Sequence, residues 1–178
     1  MTNMTGVKNS NVEANKLLYL FMFIGIIPLV IIFGLYLHNC ESQILNNIAS
    51  RTISFPAIIS ARNPLMTKVM DVYCKSAPIL ALLLFALSIK KRQVVKTTNK
   101  SILIRSCLLS PFVYLFFIYM FLFRNFELTT AGRPVRLMSS NDLTLLLFYT
   151  FLYLAIFFLT YGILYIPLIA YKLFKERR

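Results

Sequence analysis

The amino-acid sequence predicts an all-α integral membrane protein, one membrane domain spanning residues 1–178, built as a bundle of four transmembrane helices with both termini cytoplasmic. Three observations predict this. Hydrophobic residues make up 58% of the chain and charged residues 14%, too apolar a mixture for a surface that faces water. The apolar residues fall in long runs free of charge. The nineteen Lys and Arg, against six Asp and Glu, sit in short clusters between those runs, where membrane insertion leaves basic residues at helix ends. A net charge of +13 would raise nucleic acid as a partner only on a soluble basic scaffold, and this sequence has none.

Taken in order, residues 1–16 are polar and read as a cytoplasmic tail. They lack the basic start of a secretory signal, and no small-residue cleavage site follows the next apolar run, so 17–37 reads as a retained first span. It carries no charge and consists largely of Leu, Ile, Phe and Val, each favouring insertion by about 0.3–0.6 kcal/mol at a helix centre. Residues 38–72 form an outer loop with an interfacial helix starting at about residue 64, where Asn63 and Pro64 make a cap and first-turn pair. On that helix Leu65, Val69, Val72, Tyr73 and Ser76 share one face, and Asp71 with Lys75 is an i,i+4 ion pair in the favourable order. The second span, 73–89, is the shortest. Only Ser76 to Ile89 separate Lys75 from Lys90, about 21 Å of helix, so the helix must draw on the segment from Pro64, with Lys75 snorkelling and Pro78 bending it.

A basic cytoplasmic loop, 90–105, leads to the third span, 106–123, whose length matches a hydrocarbon core of about 30 Å. A second outer loop covers 124–142. The fourth span, 143–171, is about 43 Å long as a helix, so it must tilt, kink near Pro167 or emerge into the headgroups. Residues 172–178 close the chain as a cytoplasmic tail. Every span is expected to be helical, because an unpaired backbone amide in lipid costs several kcal/mol and the runs lack the alternation of a barrel strand.

Orientation follows from the basic residues. Twelve of the nineteen lie in the tails and the 90–105 loop when the N-terminus is placed inside, and Lys90, Lys91, Arg92, Lys96, Lys100 and Arg105 dominate as topology determinants. The same residues can hold anionic headgroups, which makes membrane lipids an expected partner.

Catalytic chemistry has little to work with. The chain has one histidine, His38, and its carboxylates Glu13, Glu41, Asp71, Glu127, Asp142 and Glu176 form no convergent set; no nucleophile elbow, zinc-protease motif or phosphate loop occurs. No cofactor, metal or small-molecule substrate is expected. Cys40, Cys74 and Cys107 are too few and scattered for a disulfide framework, although Cys40 and Cys74 both fall near the outer face. Transport would call for ionisable groups facing a cavity inside the membrane, and the first, third and fourth spans have none. Binding through helix faces and outer loops remains. On the fourth helix Asp142, Tyr149, Tyr153 and Thr160 fall within about 40° of one another. This polar stripe reads either as a surface for a partner helix or as packing within the bundle, with Asp142 also placed to cap the helix. Ala77, Ala81 and Ala86 permit close helix approach on the second span.

Four segments carry a resemblance: FRNFELTTAGRPVRL from Phe123 to Leu137, NPLMTKVMDVYCKSAP from Asn63 to Pro78, RSCLLSP from Arg105 to Pro111, and NDLTLLLFY from Asn141 to Tyr149. The chain resembles the immunity proteins of pore-forming colicins of the A type, and the irregular loop motif is far more specific than any apolar run. The resemblance implies a non-enzymatic protein of the bacterial inner membrane. Its partner would be the pore-forming domain of a cognate A-type colicin, met inside the bilayer and kept from opening its channel. Glu127, Thr129, Thr130, Gly132, Arg133, Pro134 and Arg136 match the family's loop motif and stand as candidates for toxin recognition or for loop structure, with Gly132 expected to support a turn ahead of Pro134. The competing readings are a small transporter or channel and a structural subunit of a membrane complex.

Overall fold

The computed structural model describes residues 2–89, 91–92 and 100–175. Seven α-helices are described: α1 (Thr2–His38), α2 (Gln43–Arg51), α3 (Pro64–Cys74), α4 (Ala77–Ser88), α5 (Lys100–Phe123), α6 (Arg133–Met138) and α7 (Asp142–Lys175). Two short strands, β1 (Ile58–Ile59) and β2 (Phe126–Glu127), and a 3₁₀ turn at Leu128–Thr130 lie in the connections. Three helical stretches are long and apolar enough to cross a membrane: Asn11–His38, Pro64–Ser88 and Asp142–Ile169; a shorter apolar stretch, Leu109–Phe123, belongs to α5. Helix α1 starts at Thr2, so it runs through the polar stretch ahead of the first apolar run.

Helix α7 is the axis of the molecule, packing against α1, α3, α4, α5 and α6. Its phase explains why. Leu145, Tyr149, Leu152 and Ile156 recur at i, i+4, i+7 and i+11 and are buried, while Leu143, Leu147, Phe151 and Phe158 form an exposed stripe on the other side. It continues as one helix through Pro167 to Lys175. Helix α5 lies along α7 and turns a ridge of Leu109, Phe112, Phe116, Tyr119 and Phe123 outward.

The helix from Pro64 breaks at Lys75 and Ser76 and not at Pro78 itself. A proline has no N–H, and its ring clashes with the carbonyl four residues earlier, so the disruption falls on the preceding turn. The freed Tyr73 carbonyl is answered by the Ser76 amide at 2.9 Å and the Ser76 hydroxyl at 2.7 Å. The Asp71–Lys75 pair forms at 2.9 Å and is buried within the bundle. The Asp71 side chain is 1% exposed, and the buried face of α3 is Met66, Thr67, Val69, Met70, Asp71 and Cys74. Leu65, Val72, Tyr73 and Ser76 are therefore not its most buried positions. Tyr73 donates from its hydroxyl to the Gly25 carbonyl at 2.8 Å and stacks on Tyr153. Ala77 and Ala81 are fully buried as close-approach residues, whereas Ala86 is exposed.

At the end of the bundle opposite the strands, Lys91 pairs with Glu13 at 3.2 Å. The Arg92 guanidinium lies over the rings of Tyr161 and Tyr165 at 5.4 and 5.0 Å, and donates to the Asn15 side chain at 3.4 Å. Lys90 and Lys96 lie outside the described residues, as do the side chains of Lys100 and Arg105.

Gly25 of α1 faces the Tyr153 side chain of α7. A Cβ there would sit 2.2 Å from the Tyr153 hydroxyl, whereas one on Gly34 would meet nothing within 4 Å. Gly25→Ala is expected to lose about 1–3 kcal/mol through overpacking, and Gly34→Ala to stay within about 0.5 kcal/mol of the parent. Thermal unfolding of the purified variants in detergent checks both.

Candidate functional site

The two connections at the strand end are built on each other. Residues 52–63 form no helix, and their regular structure is the two-residue strand β1, so many of their backbone groups are answered from elsewhere in the chain. β1 and β2 pair in parallel, Ile58 with Phe126 and Ile59 with Glu127. Ahead of them the Ala57 amide donates to the Asn125 side chain at 2.7 Å, and the Phe126 amide donates to the Ala57 carbonyl at 3.2 Å. Lys68 donates to the Phe55 carbonyl at 2.6 Å, Lys75 to the Pro56 carbonyl, and the Tyr149 hydroxyl to the Ile58 carbonyl at 2.7 Å. Both lysines of this end are thus spent on backbone.

Asn63 ties three helices together. Its carbonyl oxygen accepts from the Tyr36 hydroxyl of α1 at 3.1 Å, and its amide donates to the Asp142 carboxylate at the start of α7. Asp142 stands in the first turn of α7, where its charge suits the helix dipole, and the Asn141 side chain accepts from the Leu143 amide at 3.0 Å as the hydrogen-bonding cap. Of the other residues in the polar stripe, Tyr149 and Tyr153 are fully buried between α7 and its neighbours, and the half-buried Thr160 donates back to the Ile156 carbonyl at 2.8 Å.

The loop motif divides into an inward and an outward part. One oxygen of Glu127 accepts from the Ala61 amide at 2.8 Å, the Thr129 hydroxyl at 2.8 Å and the Thr129 amide at 3.3 Å. Thr130 donates to the Glu127 carbonyl at 3.1 Å. Gly132 caps α6 with φ −55° and ψ 156°, a conformation open to any residue, and a Cβ there would meet nothing within 4 Å, so no turn requires a glycine. Pro134 occupies the first turn of α6, where a missing N–H costs nothing. Val135 packs on the core and Ser139 is buried, while Arg133, Arg136, Leu137 and Ser140, at i, i+3, i+4 and i+7, face outward.

Electrostatically this end is one-sided. Arg51, Arg124, Arg133 and Arg136 are exposed and form no ion pair among the described residues, whereas Asp71, Glu127 and Asp142 are each occupied by partners within the chain and Glu41 is the exposed carboxylate left to offset them. Arg62 is held by the Ser140 carbonyl at 3.1 Å. Apolar groups are exposed beside these arginines: Leu137 at 70%, Ile53 at 81% and Phe55 at 55%. An apolar cleft of about 360 Å³ opens under α6, with Phe116, Phe121, Phe126, Val135 and Phe148 among its walls. Sequence reasoning missed Ile53, Phe55 and Leu137. Leu137 carried a usable signal, one helical turn beyond Arg133. Helix α2, also unforeseen, showed Ile44 and Ile48 at i,i+4; both are exposed, and Leu45 is buried beneath them. Cys40 is an exposed free thiol and Cys74 a buried one, its thiol against the Tyr149 carbonyl at 3.4 Å.

Burial raises the pKa of Glu127, but the hydrogen bonds from Ala61 and Thr129 outweigh it and hold the carboxyl below the usual carboxylate range. A group lowered on folding stabilises above its unfolded pKa, near 4.5 here, and that contribution is lost as the pH falls through the lower folded value. Glu127→Ala is expected to destabilise the chain by about 1–3 kcal/mol near neutrality, and by progressively less below pH 4.5. Denaturation midpoints of parent and variant across that pH range check the convergence.

Residues 41–178 match the colicin immunity protein family. Over all 178 residues the chain is 53% identical to the colicin-A immunity protein of Citrobacter freundii, covering the whole of both proteins. It is 39% identical to the colicin-B immunity protein of Escherichia coli over 175 residues, 98% of this chain and all of the other. No solved structure matches. Proteins of this kind bind and do not catalyse. A match over most of the chain, with full-length identity at this level, places the protein in the colicin immunity protein family.

Proposed function

We propose that this chain protects a colicin-producing bacterium by binding the pore-forming domain of an A-type colicin in the inner membrane and keeping its channel shut. The observation that carries this reading is the end-to-end likeness to the colicin-A immunity protein. The geometry supports it from another direction. The buried carboxylate, Asp71, is paired to Lys75, and the buried tyrosine Tyr149 donates to backbone, so these polar groups hold the bundle together and do not line a path through it. That weakens the transporter and channel readings.

The reading includes four membrane spans, with α3 and α4 together forming the second and α5, 24 residues or about 36 Å, forming the third. Both termini are cytoplasmic in it, the strand end faces the periplasm, and the basic segment around Lys90 to Arg105 holds that orientation. The lipids around the helices and the pore-forming domain are its two partners.

Two measurements test the proposal. Expression in sensitive bacteria should protect against colicin A or a related pore-former while leaving killing by nuclease colicins unchanged; killing by every pore-former tested would refute it. A membrane-impermeant maleimide applied to the periplasmic side should label Cys40. Labelling of Cys40 only after the inner membrane is opened would invert the orientation.

A further inference from the structure

We propose that the outward face of α6, Arg133 and Arg136 with Leu137, is the surface that reads the toxin, and that it takes an apolar segment of the pore-forming domain bearing carboxylates. This rests on the function proposed above and adds which residues of this chain do the recognising and what chemistry they meet.

The first argument is the division of the motif. Glu127, Thr129 and Thr130 turn their polar atoms inward onto residues 61 and 127–129, so they shape the loop. Arg133 and Arg136 contribute nothing to that network from their side chains, and both stand on a helix held by other contacts: Thr144 of α7 donates to the Met138 carbonyl at 2.6 Å, and Val135 packs on the core. A guanidinium on a fixed helix is presented in one direction, which lowers the ordering cost of binding.

The second argument is charge. Of the described carboxylates at this end, Asp71, Glu127 and Asp142 are engaged inside the chain and Glu41 is exposed without an ion pair, against the exposed arginines Arg51, Arg124, Arg133 and Arg136, which form no ion pair among the described residues. The chain therefore presents uncompensated positive charge, and its complement is anionic. Residue type sharpens this. The two lysines of the end, Lys68 and Lys75, are spent on the Phe55 and Pro56 carbonyls, and what is left facing outward is arginine, whose planar fork matches a carboxylate.

The third argument is the apolar surface beside the charge. Leu137, 70% exposed, stands on the same helix face as the two arginines, and the cleft walled by Phe116, Phe121, Phe126, Val135 and Phe148 opens on the other side of α6. Its volume of about 360 Å³ lies within the range of ligand pockets, and its walls are almost wholly hydrocarbon. Phospholipid phosphates would meet the same guanidinium groups. A lipid surface needs only charge near the interface, however, and does not call for a hydrogen-bonded support or a single concave pocket.

The test compares the parent with R133E/R136E and R133K/R136K, each at its measured level in the membrane. The glutamate variant should lose at least 100-fold of the protection that the parent gives against colicin A or a related pore-former, and the lysine variant should lose less. In nonionic detergent without anionic lipid, the parent should retain the toxin's pore-forming domain and R133E/R136E should release it. Should the glutamate pair lower the membrane level, R133Q/R136Q reports in its place with the same expectation. Full protection by the charge-reversed variant beside a protecting parent overturns this inference alone. So does equal retention in detergent together with loss of binding to phosphatidylglycerol vesicles, which assigns the arginines to lipid. A parent that protects against no pore-former overturns the functional reading and this inference with it.

Discussion

Polar atoms held away from water must find their partners within the chain, since each one left unpaired costs about 1–3 kcal/mol in a protein interior and several in lipid. Helices satisfy their own backbones, but the tyrosine hydroxyls, the Asp71 carboxylate and the carbonyls beside the helix break cannot be satisfied that way. Residues 53–63 supply much of what is missing. The Ile58 carbonyl receives the Tyr149 hydroxyl, and the Pro56 carbonyl shares the Lys75 ammonium with Asp71. Asn63 accepts from Tyr36 and donates to Asp142. The connection between α2 and α3 is thus an internal part of the bundle although it is not helical. Loosening it would strand a hydroxyl on α7 and an ion pair on α3 together, which makes the strand end and the bundle one cooperative unit.

The apolar runs were legible because hydropathy depends on composition over a window, and three of the four expected spans coincide with helices long and apolar enough to cross a membrane. The family was legible from the irregular loop motif. What could not be read was anything fixed by contacts distant in sequence. The pairing of Ile58 with Phe126 joins positions 68 apart, and the Tyr149 bond to Ile58 joins positions 91 apart. The helical period showed that Tyr149 and Tyr153 share a face, but a period does not say what lies opposite. Asp71 and Lys75 were recognised as a pair from their spacing. Their burial depended on Pro56 folding over them, which no local signal announces. Gly132 was read through the usual reason for a glycine before a proline, and its backbone shows that the reason does not apply here. In the motif, residue types were visible from the start, but the separation of Glu127 from Arg133 and Arg136 needed the phase of a six-residue helix.

That separation bears on how such a surface can discriminate between toxins. A recognition residue that also holds the fold cannot change without a cost in stability, and Glu127, with three donors on one oxygen, is in that position. Arg133, Arg136 and Leu137 are not. Their side chains leave the core, the glycine ahead of them has open space around it, and the helix beneath them is anchored through Val135 and Thr144. Charge at an exposed rim gives discrimination more than raw affinity, because a like charge opposite repels while a matched one adds modestly. On the proposed reading, exposed arginines on a fixed frame could be retuned to a different toxin by substitutions that leave the bundle untouched, and tight binding would have to come from apolar contact in the cleft and along the helices. Specificity and affinity would then sit on different residues, one set facing outward at the strand end and the other lining the apolar surfaces of α5, α6 and α7.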